Sequence, residues 1–481
     1  MALVSYKRPE LVKMRRPYQL VADVMAGELA VKDRGITYLP VPDPANKSAD
    51  NVARYGAYKT RAVFYGVTAR TVRGMLGQIF GRNFELTIPP VLQTTIDDIT
   101  GVGVQASQQF KETTSRVLAY GRSGLLSDFP DNDGSSVTQA QLNSGEIKST
   151  ITRFDAEQII NWRVEKRGSE QKLTLVVIEY DDIVYTDAFS STTKKAYKVL
   201  RLDESGFYTM QDYGNDFNSR GSAIQPKFAD GNRFNYIPFE FIGSEDNDPS
   251  IDEIPIYDLA SLNIAHYRNS ADFEEACFIL GQPTGWVSGV TADWAEKFMN
   301  GTIKLGSKAI IPLMLGASTG ILQVQPNTMV QAAMEMKEKQ MVALGARLVE
   351  NKSVQRTATE ARQDESAETS ILSTIAQNVS AAYSNALWSC ERFVSTNDSD
   401  PTLVLNDQFD LAQLDANQIS RVIEMWQKEA TTFGEMRSVL RKAGYVELDD
   451  KEALEQIQEE VKLRIAAQPD LFATPEPVGE E

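Results

Sequence analysis

The spacing of apolar residues between positions 357 and 394 predicts a long amphipathic helix. Residues Thr357 to Glu360 match a capping box, in which the Thr hydroxyl accepts a backbone N–H and the Glu reaches back to the cap. Apolar side chains then recur mostly four residues apart, on one helical face: Ile371, Ile375, Val379, Tyr383, Leu387 and Val394. No Pro or Gly interrupts the segment, so we expect one continuous helix, roughly 55 Å long. A helix of that length suggests a rigid structural element in an assembly.

Helical spacing is also present in other parts of the chain. The further predicted helices cover residues 51–80, 104–120, 256–280, 329–349 and, as two or three helices, 411–465. Residues 1–37 are helical in part, and the stretch 38–50 contains three prolines and predicts a loop. Helix is therefore the expected element at both ends of the chain and through most of its second half.

The segment from Ile151 to Phe241 differs in composition from the rest of the chain and predicts a strand-rich module. It is rich in β-branched and aromatic residues, and Lys172–Tyr180 is its clearest strand. Ala196–Leu202 and Phe207–Tyr213 flank the turn-type sequence DESG, which predicts a hairpin. Gly214–Arg233 is polar and predicts a mobile surface loop. Together with the helical segments, this block predicts an α+β fold.

Composition narrows the class of protein. The 481 residues are enough for two to four domain-sized units. The net charge of −17, from 66 acidic and 49 basic residues, makes the chain a poor candidate for tight binding of nucleic acid. An acidic surface is compatible with a conduit through which DNA slides without adhering, but most acidic proteins are merely soluble. No window approaches 18 uninterrupted apolar residues, and the N-terminus lacks the features of a secretory signal, so we expect neither a membrane span nor export.

The residues that usually carry catalysis are sparse. His266 is the single histidine, which rules out paired histidine ligands and weakens any catalytic triad. Cys277 and Cys390 lie among apolar residues and are expected to be reduced core thiols, so a zinc site is excluded. The chain has no phosphate-binding P-loop and no G-x-S-x-G elbow. We therefore expect no enzymatic activity, no cofactor and no metal, although chemistry by Asp, Glu or Lys stays open.

Two weak motifs are better explained as turns. Gly101 to Ala106 matches the dinucleotide fingerprint G-x-G-x-x-A, but the acidic stretch before it is not a buried strand, so a connector between helices is favoured. Asp128, Asp131 and Asp133 suggest a calcium loop, but the bidentate Glu at the twelfth position is missing. A plain turn is the preferred interpretation there.

Four stretches in sequence order resemble a known family. They are LAYGRSGLLSDFP (118–130), ITRFDAEQIINWR (151–163), the segment 237–276 that begins IPFEFIGSED, and TATEAR (357–362) before the long helix. This pattern resembles the portal proteins of tailed bacteriophages, and most closely the group once known only as a phage domain of unknown function. The resemblance spans about residues 50 to 445. Four motifs in the right order are considerably more specific than any one of them.

The resemblance implies a subunit with wing, stem, clip and crown regions. The stem helix would be about 256–280, the clip would lie within 165–240, and the crown would follow residue 360. The implied domains are a helical wing region (1–150), a strand-rich wing and clip module (151–250), a stem helix with wing strands and a tunnel-side helix (251–349), a tunnel loop (350–356), a long helix with crown helices (357–465) and a disordered acidic tail (466–481).

The resemblance also implies a site that faces DNA. From spacing alone, residues 350–356 are a polar connector between helices. The family pattern makes them the tunnel loop that narrows the channel, formed by Glu350, Asn351, Lys352, Ser353, Val354, Gln355 and Arg356. Lys352 and Arg356 would then touch phosphates weakly as DNA passes.

The implied function is structural. Twelve copies would form a ring at one capsid vertex of the virion, assembled in the host cytoplasm, through which double-stranded DNA is packaged and ejected. The expected partners are the large terminase subunit, head-completion or adaptor proteins, and the major capsid or scaffold protein. Apolar residues of 329–349, such as Met334, Met336, Met341 and Leu344, should be exposed in a monomer and covered by neighbours in the ring. The alternatives are another virion structural protein (a head-completion, tail or scaffold component) and, from a third class, an enzyme.

Overall fold

The computed structural model divides the chain into two compact units, residues 1–407 and 408–481. It describes residues 4–130, 138–281, 284–299, 313–322, 328–348, 370–397, 399–407, 409, 416–428, 430–442, 446, 448 and 450–467. Helices and strands are mixed along the chain, so the predicted α+β class is confirmed. No helix in these ranges is long and apolar enough to cross a membrane.

The helices of the first unit are distributed over its whole length. They are α1 (Pro9–Ala26), α2 (Glu28–Asp33), α3 (Ala49–Arg61), α4 (Val67–Phe80), α5 (Gln93–Asp97), α6 (Ala106–Tyr120), α7 (Gln139–Ser144), α8 (Tyr257–Leu280), α9 (Ala292–Met299), α10 (Thr328–Arg347) and α11 (Ile371–Val394). The second unit contains α12 (Ala416–Gln427), α13 (Phe433–Lys442) and α14 (Asp450–Ala467).

The strands belong to the first unit. They are β1 (Glu85–Thr87), β2 (Arg122–Asp128), β3 (Thr150–Asp155), β4 (Ile159–Arg167), β5 (Glu170–Tyr185), β6 (Ser191–Leu202), β7 (Tyr208–Tyr213), β8 (Ser219–Ile224), β9 (Phe239–Gly243), β10 (Thr284–Ser288), β11 (Ser318–Leu322) and β12 (Thr402–Val404). They pair as an antiparallel meander β4-β5-β6-β7-β8, a three-stranded sheet β3-β2-β9, and the two-stranded pairs β1-β12 and β10-β11.

The two larger sheets share one hydrophobic core with the end of α11. That core is rich in aromatic residues and includes Phe154, Trp162, Tyr208, Phe234, Phe239, Phe241 and Phe393. Leu126 from β2 and Ile178 from β5 lie in the same cluster. The meander is therefore packed into the body of the first unit.

Helix α11 buries the stripe that its spacing predicts. Ile375, Val379, Tyr383 and Leu387 all have no exposed surface. The Tyr383 ring packs edge-on against Phe110 of α6 with centroids 4.5 Å apart, and its hydroxyl lies 2.7 Å from the Thr113 hydroxyl. The predicted amphipathic face is confirmed, and its partners are α6 and the sheet β3-β2-β9.

The predicted start of this helix is wrong. Helix α11 begins at Ile371 and not at Thr357, because Ser370 is extended (φ −66°, ψ 154°) and its hydroxyl accepts the Ser373 N–H at 3.1 Å. Residues 357–369, with the proposed capping box, lie outside the described residues. Positions 357–370 contain no apolar residue larger than Ala, so that stretch has no stripe to bury. The helix of 24 residues is about 36 Å long.

Two further expectations need correction. The helix predicted over 51–80 is two helices, α3 and α4, because the chain breaks at Ala62 and is held there by Ser270 of α8, whose hydroxyl bonds both the N–H and the C=O of Val63. The predicted loop 214–233 contains the edge strand β8. Its side chains are almost all exposed, so it has no apolar alternation that a sequence could reveal.

The second unit is a small helical module. The Trp426 ring of α12 lies 5.9 Å from the Phe433 ring of α13, and Arg437 of α13 donates to the Asp450 carboxylate and to the Leu448 carbonyl. Apolar side chains of α14 at Leu454, Ile457 and Val461 are exposed. The predicted acidic tail lies, from residue 468 onward, outside the described residues.

The burial of α11 predicts the effect of a charge on its stripe. Leu387→Asp places an unpaired carboxylate in the core and should lower the free energy of unfolding by about 4 kcal/mol or more. Ala381→Asp, on the exposed face of the same helix, is the matched control and should leave stability nearly unchanged. Chemical denaturation of both variants checks this. A Leu387→Asp protein as stable as wild type would show that the stripe is not buried.

A second prediction concerns pH. Burial raises the pKa of Glu240 on β9 to about 7, and Asn385 of α11 is its hydrogen-bond partner at 3.4 Å. Because the folded pKa exceeds the unfolded value of 4.5, the folded state binds more protons between pH 4.5 and 7, and stability falls as pH rises through that window. Glu240→Gln should match wild type at about pH 4 and exceed its unfolding free energy by about 1–3 kcal/mol at pH 8. An equal difference at both pH values would contradict the assignment.

Candidate functional site

Helices α8 and α10 form an antiparallel pair that precedes the predicted tunnel loop. The His266 Nε2 lies 3.2 Å from the Glu338 carboxylate, and the Lys337 ammonium donates to the Asn269 side chain at 3.1 Å. The order of these contacts, rising along α8 and falling along α10, defines the antiparallel arrangement. A groove of about 510 Å³ continues along the pair toward Leu344.

The opposite side of α8 is fixed to the N-terminal helices by polar contacts. The Asn263 amide bridges the Thr68 hydroxyl and the Tyr65 carbonyl, and the Tyr58 hydroxyl donates to Asp272 at 2.6 Å. Glu275 forms ion pairs with Arg54 and Arg61. Since buried polar groups in such contacts restrict the helix to one position, α8 is a rigid support for α10.

Helix α10 presents a mostly uncovered outer face. Met329, Met336 and Val342 are 75%, 56% and 71% exposed. The expected exposure of Met336 is confirmed, whereas Met341 is only 1% exposed and that expectation is wrong. Spacing alone could not separate the two faces, because apolar and polar residues are spread around the whole helix.

The end of α10 and the start of α11 lie next to each other. The Leu372 N–H, in the first turn of α11, donates to the Leu348 carbonyl, just after α10, at 3.3 Å. Leu348 and Leu372 are both buried. All seven predicted tunnel-loop residues, Glu350, Asn351, Lys352, Ser353, Val354, Gln355 and Arg356, lie between these anchors and outside the described residues.

The other candidate residues, His266, Cys277 and Cys390, lie in different environments. His266 is buried beside Tyr65, with ring centroids 5.8 Å apart, and its Nδ1 has no hydrogen-bond partner among the described residues. Cys390 is buried, as expected, and burial raises its pKa to about 12. Cys277 is exposed, so the expectation that it is a core thiol is wrong. Cys277 lies in the last turn of α8, where its apolar neighbours Phe278 and Ile279 are also exposed.

The first weak motif forms a turn, whereas the second is described only at Asp128, the last residue of β2, so its predicted turn stays a prediction. Helix α5, not a strand, precedes Gly101, and the Gly103 N–H donates to the Asp98 carboxylate at 2.7 Å. This stretch is a turn that follows a helix, so it is not the strand-to-helix loop that binds a pyrophosphate. Asp128 accepts the Phe129 N–H, and burial raises the pKa of its carboxyl, while Asp131 and Asp133 lie outside the described residues.

An acidic loop after β9 is a feature that sequence reasoning missed. One carboxylate oxygen from each of Asp246, Asp248 and Asp252 lies within 4.8 Å of the others. The spacing D-x-D-x-x-x-D could have revealed it. Oxygen donors suit a hard cation, but the buried guanidinium of Arg122 donates to the Pro249 carbonyl of the same loop. This nearby positive charge can neutralise the loop without an ion.

Comparisons with known proteins give one family match and several structural likenesses. The family described as "Domain of unknown function (DUF4055)" matches residues 255–394, which run from just before α8 to the end of α11. No curated protein matches the chain.

The structural likenesses are to particles of a gene transfer agent (GTA). "Virion of native gene transfer agent (GTA) particle" is 14% identical, with a TM-score of 0.39 and coverage of 86% of this chain and 98% of the other. "Neck of empty GTA particle computed with C6 symmetry" is 13% identical, with a TM-score of 0.39 and the same coverages of 86% and 98%. "Neck of native GTA particle computed with C12 symmetry" is 13% identical, with a TM-score of 0.38 and again 86% and 98%. TM-scores this low do not establish a common fold.

Proposed function

We propose that this chain is a portal protein, a virion component that forms a ring at one capsid vertex. The ring is the channel for DNA packaging and ejection, and it docks terminase and later head-completion or tail proteins. In this proposal the subunit does no bond chemistry. The runner-up is another virion structural protein, such as a head-completion, tail or scaffold component.

The observation that carries the proposal is that three of the four portal-like motifs supply the strands of one sheet. Residues 118–130 contain β2, residues 151–163 contain most of β3, and residues 237–276 contain β9. These three strands form the single sheet β3-β2-β9. The fourth motif precedes α11, which packs on that sheet. Three chance matches would have no reason to supply the three strands of one sheet.

The helical pair supports the same proposal. The matched family spans α8 through α11, the part that would supply the stem, the tunnel loop and the helix behind it. Because Leu348 and Leu372 are hydrogen-bonded, residues 349–369 begin and end at one fixed point, as a loop projecting into an axial channel requires. The outer face of α10 offers apolar area for neighbouring subunits.

The pairing of α8 with α10 changes where we place the clip, which we propose docks terminase. The segment 281–327 joins the C-terminal end of α8 to the N-terminal end of α10. It includes the hairpin β10–β11 with Trp286, which is 45% exposed. The sequence-based assignment of the clip to 165–240 remains a prediction. We favour 281–327, because the meander in 165–240 is packed into the core with α11.

The proposal is tested first by electron microscopy of the purified full chain. We expect closed rings, of twelve subunits in class averages, with a central hole as wide as a duplex. Such a ring separates a portal from a scaffold protein. Monodisperse monomers at high protein concentration would count against it, and the runner-up would then be preferred.

The tunnel-loop prediction is tested by deleting Asn351 to Gln355. Since both anchors of the loop are retained, rings should form at the wild-type yield while DNA packaging or retention is impaired. Packaged DNA is measured in particles assembled with the variant. If rings fail to form, the segment is an assembly element and the tunnel assignment is wrong.

A further inference from the structure

The hairpin of β5 and β6 extends beyond its own sheet. Strand β4 pairs with β5 only as far as Ile178, and β7 pairs with β6 only from Tyr197 onward. Past these points β5 and β6 continue to pair, from Asp181 with Lys195 to Tyr185 with Ser191. We call residues 181–195 the arm. It is a two-stranded ribbon with no strand of the described residues paired on either edge, and such ribbons are only marginally stable alone.

The arm presents large apolar side chains to solvent. Ile183 is 57% exposed, Tyr185 is 77% exposed, and Phe189 at the tip is 101% exposed. The tip is held in shape by Asp187, whose carboxylate accepts the Phe189 and Ser190 N–H groups, each at 2.7 Å, and the Ser190 hydroxyl. Because these hydrogen bonds order the backbone of the turn, Phe189 is already exposed at a defined position before binding. This lowers the entropic cost of binding.

A groove of complementary character lies on the outer face of the same sheet. It has a volume of about 590 Å³ between this face and the N-terminal segment that runs from Val4 to Glu10. Leu175, Val177 and Val199 supply its apolar floor. We call it the N-terminal groove.

Arginine side chains give the groove its positive charge. Arg163 and Arg201 are the pairing neighbours of Leu175 on β4 and β6, so they flank it on one face. Arg8 adds a third guanidinium, 4.6 Å from the Trp162 ring, and it forms an ion pair with Glu10 at 3.0 Å. Arg163 likewise lies 3.6 Å from the Glu165 carboxylate, so the groove is only moderately positive. Guanidinium groups stack favourably on aromatic rings and attract carboxylates. The distal arm, residues 183–193, carries aromatic rings and a single charge, the negative Asp187.

We propose that the arm of one subunit inserts Phe189 into the N-terminal groove of the next copy of this chain. The arm cannot fill its own groove, since Tyr185 is ten residues beyond Leu175 on the same strand, about 34 Å away. Arm and groove are different surfaces, so the contact is head-to-tail and can close into a ring by rotation. The inference rests on the ring of the proposed function and names one contact that holds it together.

The first experiment is substitution of the tip. Phe189→Ser removes the ring without burying or unpairing any group, so the monomer should fold normally. We expect the subunit concentration needed for half-assembly to rise about tenfold or more, as for a central aromatic anchor. Val102→Ser, at a site 82% exposed and outside both arm and groove, is the matched control and should assemble like wild type. Assembly is followed by light scattering during size-exclusion chromatography.

The second experiment locates the contact. In a Cys277→Ser background, chains carrying Ala188→Cys, at the exposed tip beside the retained Phe189, are co-assembled with differently tagged chains carrying Arg201→Cys, and a short bis-maleimide is added. We expect a cross-linked pair containing both tags, and none when Val102→Cys replaces Ala188→Cys. Rings that form without this cross-link, together with normal assembly of Phe189→Ser, would overturn the arm contact and leave the portal proposal intact.

Other outcomes are also decisive. If Phe189→Ser forms normal rings but fails to incorporate into particles, the arm binds a different virion protein and the second copy is the wrong occupant. If the wild-type chain never oligomerises at any concentration, both this inference and the proposed ring are wrong.

Discussion

The burial of α11 against the sheet β3-β2-β9 and α6 is the interaction on which the first unit depends. The fully buried stripe of α11 contacts parts of the chain that are far apart in sequence, and the Ser127 hydroxyl of β2 donates to the Ala386 carbonyl of this helix. Full burial of each large apolar side chain contributes about 1.5–3 kcal/mol, so the stripe supplies a large share of the stability of this unit. Since Phe393 reaches the core of the meander, the same helix also ties the larger sheet to the body.

That rigid body explains how a loop can be presented at a fixed place. Helix α11 starts where Leu372 is bonded to Leu348, so the end of α10 is positioned by a helix whose apolar face is fully buried. Helix α8 is fixed independently by Asn263, Asp272 and Glu275. Leu348 and Leu372, the described anchors nearest to residues 349–369, are therefore both held by helices packed into the first unit. In the proposed portal, this support would transmit contacts made in the channel to the body of the subunit.

The sequence predicted what periodicity and burial dictate locally. The stripe of α11, the bounds of α8 to within one residue, the hairpin β6–β7 and the connector at Gly101 follow from spacing and turn chemistry. The start of α11 was not predicted, because Thr357 and Ser370 are both plausible N-cap residues. Only the lack of large apolar residues before Ile371 distinguishes them. The exposed edge strand β8 had no pattern to detect. The pairing of His266 with Glu338, 72 residues apart, depends on tertiary packing that no local signal encodes.

Charge distribution links the described structure to the proposed channel. Four cations around the helical pair are engaged in polar contacts: Arg54 and Arg61 with Glu275, Arg268 with the Tyr38 carbonyl, and Lys337 with Asn269. Cations engaged in this way do not offer a row of free charges to phosphates, and tight DNA binding needs such a row. The arginines of the N-terminal groove instead lie on the face of the meander opposite the core shared with α11. In a chain of net charge −17, the proposed ring would therefore use its arginines to hold subunits together while its channel lets DNA slide.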